Sequence, residues 1–133
     1  MRASLITLLN AQSSITDLVS TRIYLDKAPE GCGLPYIVIL QHGSDEFMTS
    51  DNTGNLRGID FSIICRAQRG VSSVAVANAV RLFIEDYSGA AGTETISAVI
   101  LESVSDQFEP PVDGSDIGKH ASTLDLQILY NPA

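Results

Sequence analysis

The stretch Thr21–Leu40, TRIYLDKAPEGCGLPYIVIL, decides how the chain is read. Within it, Ile23-Tyr24-Leu25 is a short apolar strand and Tyr36–Leu40 a fully apolar one. Pro29, Gly31, Gly33 and Pro35 lie between them, which excludes a tight two-residue hairpin. Pro35 biases Leu34 towards extended backbone and opens the next strand where no ladder hydrogen bond is needed. The absence of alternation in Tyr36–Leu40 suits a strand packed centrally or buried on both faces. The residues before this stretch read as helix, and those after it read as sheet plus one helix.

On the N-terminal side, Leu5, Leu8 and Leu9 have the spacing of a helix with one apolar face. The pattern breaks at Ser13-Ser14 and resumes at Ile15, Leu18 and Val19, predicting a short second helix that ends near Ser20. Ser14 is its expected N-cap, with Asp17 completing a capping box. Beyond Leu40 the chain turns polar over Gln41–Asn55, as either a long hairpin arm or a mobile loop. Leu56–Ala67 then alternates: Ile59, Phe61, Ile63 and Cys65 point one way and Asp60, Ser62 and Arg66 the other.

The main helix is expected over Gly70–Ser88, with the stripe Val76, Val80, Phe83, Ile84 and Tyr87 facing the core. Ser72 and Ser73 are its candidate caps and Gly89 its C′ residue. Gly89–Gly92 reads as a small-residue link. A strand over Thr95–Val104, which Phe108 can extend, leads to a second polar loop, Glu109–Gly118. The last strand, His120–Tyr130, sets Leu124, Leu126, Ile128 and Tyr130 on one face and Thr123, Asp125 and Gln127 on the other. This order predicts an α+β fold: a mainly antiparallel β-sheet with an N-terminal helix and one long helix packed on a face. At 133 residues it predicts a single domain, 1–133.

The charge distribution narrows the function. The chain carries 16 acidic and 8 basic residues, a net charge of −8. Glu85, Asp86, Glu94, Glu102, Asp106, Glu109, Asp113 and Asp116 fall between Leu82 and Gly118 with no Lys or Arg among them. Such a surface repels nucleic acid and gains nothing from counterion release. It serves either as a solvated face that aids solubility or as a surface that must not stick to nucleic acid. No apolar run approaches the roughly 18–20 residues needed to cross a membrane. MRASLITLL lacks a following signal cleavage site, so a cytosolic chain is expected.

Reactive groups form no recognisable constellation. Cys32 and Cys65 lack a CxxC or Cys/His companion pattern and are expected to be free thiols. His42 and His120 have no G-x-S-x-G elbow to serve. Asp113-Gly-Ser-Asp116 with Glu109 is oxygen-rich but lacks the ligand spacing of a calcium loop. Gly31-Cys-Gly33 precedes a proline rather than a helix, so it is no phosphate cradle. No catalytic, cofactor-binding or metal-ligating residue is therefore expected, and no cofactor.

The order of features resembles the tail-completion proteins of long-tailed phages and prophages, also called tail terminator or head–tail joining proteins. The residues that carry it are Leu5, Leu8 and Leu9, then Ile15 and Leu18-Val19, then Arg22-Ile23-Tyr24. Ala28-Pro29-Glu30-Gly31 and Leu34-Pro35-Tyr36-Ile37-Val38 complete the N-terminal part. A strand like Leu56–Ala67, a helix like Val71–Tyr87 and a closing strand like Thr123–Tyr130 come after these. The polar Gln41–Asn55 segment is where the chain departs from the pattern.

The resemblance implies a structural virion protein of the tail, without enzymatic activity, assembled in the bacterial host cytoplasm. Its partners would be copies of itself in a ring, a hexamer, together with the major tail tube protein and the head connector or stopper protein. DNA would only pass through the lumen, without specific nucleic-acid binding, and no membrane is involved. A carboxylate-lined lumen would keep the DNA backbone sliding. The alternatives are a head-closure or connector protein and, in another class, a small cytosolic hydrolase or ligand-binding domain using His42 or His120. Gln41–Asn55 and Glu109–Gly118 are expected to be mobile in the free subunit and ordered at contacts, and Arg22 to be a structural ion-pair residue.

Overall fold

The computed structural model describes residues 2–29, 33–48, 55–85, 87–92, 94–110 and 118–131. Two helices, α1 (Arg2–Asn10) and α2 (Ser13–Val19), are followed by strands β1 (Ile23–Leu25), β2 (Tyr36–Met48) and β3 (Asn55–Ala67). Helix α3 (Gly70–Ile84) then leads to β4 (Gly89–Ala91), β5 (Glu94–Glu109) and β6 (Lys119–Asn131). All the strands join one sheet in the order β1-β2-β3-β6-β5-β4. Only β1 and β2 pair in parallel; every other neighbour is antiparallel. This is the expected α+β architecture.

The helices form because their apolar residues recur every three or four positions and can share one face. Leu5 and Leu9 on α1 and Ile15 and Val19 on α2 are all fully buried. Helix α2 starts one residue before the expected Ser14 cap. Its N-cap is Gln12, in extended backbone and without a side-chain cap bond. Burial of Ile15 and Val19 sets the start, so no capping box is required. Ser20 closes the helix in the left-handed region, at φ 56°, its N–H donating to the Thr16 carbonyl at 2.7 Å.

Helix α3 ends at Ile84, short of the expected Ser88, and Gly89 opens β4 instead of capping the helix. Tyr87 has left the helix: its ring lies 5.3 Å from that of Phe83, and its hydroxyl donates to the Ala90 carbonyl at 2.6 Å. The serine caps expected for α3 are also absent. Arg69 is the N-cap, while Ser73 is buried and donates to the Gly70 carbonyl at 3.0 Å. The link expected over Gly89–Gly92 contains β4, which pairs with the start of β5.

Of the two readings of Gln41–Asn55, the hairpin arm is the one found. β2 continues to Met48, which sits opposite Asn55 on β3. Residues 49–54 and 111–117 lie outside the described residues, so the expected mobility of both loops does too, as does the oxygen-rich Asp113–Asp116 turn.

One face of the sheet carries the core. Ile37, Ile39, Phe61, Ile63, Leu124, Leu126 and Ile128 pack there against α1, α2 and the Val76–Val80–Ile84 stripe of α3. Helix α1 touches both β1 and β4, the outermost strands, so the sheet bends around the helical layer. Gly92, at φ 61°, permits that approach: a Cβ there would stand 2.8 Å from Ser4 Oγ. Ser4 in turn donates to Glu94 Oε1 at 2.8 Å. Bulges occur at His42 on β2 and at Ser97 and Glu102 on β5, where the register skips a residue. The second β5 bulge reverses the alternation, so Val104, Asp106 and Phe108 face the helix side beyond it.

Two outcomes test this packing. Phe61→Ala, at a site 1% exposed, should cost about 3–5 kcal/mol in urea unfolding. Leu82→Ala, at a site 85% exposed, should stay within about 0.5 kcal/mol of wild type. Burial also pushes the Cys65 thiol up from 9.0 to about 12. In a Cys32→Ser background it should react with Ellman's reagent only at the unfolding rate. Because the folded-state pKa is raised, this thiol's contribution to stability is complete below pH 9.0 and declines as pH rises towards about 12.

Candidate interaction surface

The face of the sheet turned away from the helices carries a row of polar side chains drawn from four neighbouring strands. Strand register brings them together: Ser62 on β3 is opposite Asp125 on β6, and Asp125 is opposite Ser103 on β5. The bulge in β2 brings His42 beside Ser62. The Ser62 hydroxyl donates to Asp125 Oδ1, and Ser103 Oγ donates to Asp125 Oδ2 at 2.9 Å. With the Ser62 proton committed to Asp125, His42 Nε2 is the donor to Ser62 Oγ, at 2.6 Å. Asp60 and Glu102 complete the rim of an open depression of about 300 Å³.

This row contains the residue types of a hydrolytic triad in an order that cannot perform its chemistry. A triad needs the imidazole between hydroxyl and carboxylate, so that it can take the nucleophile's proton. Here the hydroxyl stands between imidazole and carboxylate, and its proton points at Asp125. Ser62 is moreover 5% exposed, leaving its oxygen little access to a substrate. His120 is elsewhere, on the helix side, with its ring 4.9 Å from that of Phe108 and close to Gly70. The two histidines therefore do not converge. Among the described residues no group of three or more His, Cys, Asp or Glu could hold a metal ion. Cys65 is a buried free thiol, and Cys32 lies outside the described residues.

Arg22 has a structural part, with Nε donating to the Pro35 carbonyl at 2.8 Å across the connector. The Leu34–Pro35 peptide that it holds is cis. Arg66 and Glu109 form a two-pronged ion pair, 2.7 and 3.3 Å, that ties the end of β5 back to β3. Lys119 lies 5.6 Å over the Tyr36 ring on the same side. The acidic span is dispersed: Glu85 pairs with Arg81, Glu94 accepts from Ser4, and Asp106 accepts from Ser122 at 2.6 Å.

The larger exposed feature is β5 itself. β4 pairs with it only at 94–96, so the outer side of 97–109 has no strand beside it among the described residues. From Glu102 to Phe108 every residue is exposed, including Val104 and Phe108. Sequence reading found a strand here but not this edge, because strand order is set by pairings between distant segments. The polar row escaped for the same reason, although His42 itself was singled out.

Comparison with known proteins fits a chain whose exposed features are edges rather than a reactive cleft. The family model described as Tail completion protein gp17 matches residues 3–110. A chain of the virion of a native gene transfer agent particle shares the fold, with a TM-score of 0.69 at 19% identity, covering 98% of this chain and 94% of that one. No curated protein matches. The chain belongs to the tail completion protein gp17 family, and is a structural component of a phage-type virion tail rather than an enzyme.

Proposed function

We propose that the whole chain, 1–133, acts as one tail-terminator domain that assembles into a closed ring, a hexamer, in the host cytoplasm. The ring caps the finished tail tube and presents its other side to the head connector. The observation that carries this reading is the family match over residues 3–110. The geometry supports it in one respect. A sheet whose two outermost sides each lack a strand partner among the described residues suits head-to-tail contacts that close on themselves.

The contacts proposed are with neighbouring copies, with the major tail tube protein and with the head connector or stopper protein. DNA passes through the ring without being bound. The net charge of −8 favours such passage, since a surface with an excess of carboxylates repels the phosphate backbone.

Adding the purified chain to polymerising tail tube protein tests the reading. Electron microscopy should show elongation stopping, with an extra disc of density at one end of each tube. Unchanged length distributions with bare ends would overturn it. The His42→Ala/His120→Ala double variant should stop elongation as well as wild type does, whereas an activity depending on either imidazole would be lost.

A further inference from the structure

We infer that the free edge of β5 in one copy pairs antiparallel with the outer side of β1 in the next, through the Ile23 carbonyl and Leu25 N–H. The Ile23 N–H and Leu25 carbonyl are already bonded locally to Thr21 and Lys27. The inference rests on the ring reading above and names the surface that closes it. Following the registers across the sheet, Leu25 on β1 is level with Ile39, Ile63, Leu124 and Val104. Ile23 is likewise level with Ile37, Cys65, Ser122 and Asp106. β1 and the 104–106 part of β5 therefore stand at the same height on opposite sides of one sheet.

Their directions are also matched. β1 is parallel to β2, and three successive antiparallel steps lead from β2 to β5. β1 and β5 thus run in opposite senses. A neighbour brought alongside by rotation about an axis along the strands presents β1 to β5 antiparallel and without a vertical shift. That is a heterologous contact able to close into a ring.

Charge selects this pairing over the simplest alternative. Arg22 and Lys27 flank β1, and Lys27 is exposed. Continued two residues beyond β1, the registers bring Lys27 to the height of Leu101, next to the exposed Glu102 of the bulge, while Arg22 comes level with Gln107. Opposite charges therefore come together at the Lys27 end of the short strand. A two-fold pairing of β5 with β5 would instead set Glu102 and Asp106 of each copy against an edge with no base, which disfavours it. The edge is open to a partner: from Ser103 to Glu109 the register is regular, and the segment contains neither Pro nor Lys to blunt it. Val104 and Phe108, 45% and 53% exposed, gain cover when a strand is added.

Charge exchange tests the interface. Glu102→Lys and Lys27→Glu, both at exposed positions, should each weaken self-association about fivefold per contact, read as a mass shift by light scattering after gel filtration. The double variant Glu102→Lys/Lys27→Glu should restore the wild-type mass. A ring indifferent to both single changes, or one not restored by the double change, overturns this interface while leaving the ring reading intact. A wild-type chain that stays monomeric at every concentration overturns both.

Discussion

The structure depends on one apolar layer, closed by the contact of α1 with both outermost strands of the sheet. β1 and β4 have three residues each and one strand neighbour apiece, too little pairing to hold an edge in place. Leu5 and Leu9, fully buried, supply the missing packing from above. Gly92 and the Ser4–Glu94 hydrogen bond bring α1 close enough to do so. Once the sheet has bent around its helices, that face is consumed by stability. Only the opposite face and the strand edges remain for partners.

That division of labour explains why residues that look reactive are not. His42, Ser62, Asp125 and Ser103 span four strands and satisfy one another's hydrogen bonds across the exposed face. Such a row pins the register of strands whose outer side has little apolar packing to do so. Arg66 and Glu109 tie down the far end of β5 in the same way. Beyond Ile96 the long strand is anchored on one side, by β6 and by these polar contacts, and stays extended while its other side remains available.

How much of this was legible in the sequence depends on the range of the interactions involved. Periodicity identified the faces of α1, β3 and β6, because alternation is a local consequence of which side meets the core. The polar stretch after Leu40 resisted a single reading. Its strand character comes from cross-strand pairing with 55–62, which no local pattern reports. Caps placed at Ser14, Ser72, Ser73 and Gly89 failed where burial of neighbouring side chains set the helix limits instead. β4 was missed because its residues, Gly-Ala-Ala, have low strand propensity and are held by β5. The family was readable from the Arg22–Val38 run, whereas the order of strands, and with it the free edge, was not.

Belonging to a tail-completion family and showing no reactive cleft among the described residues are two sides of the same design: a small core supports edges and faces for docking. The account's central claim is that these edges close a ring at the end of the tail tube. Electron cryomicroscopy of intact particles tests it most directly. The account predicts a single closed ring of this fold between tube and head, with neighbouring sheets joined side by side. Density for the fold at any other place in the particle, or as separate subunits with no contact between sheets, would contradict it.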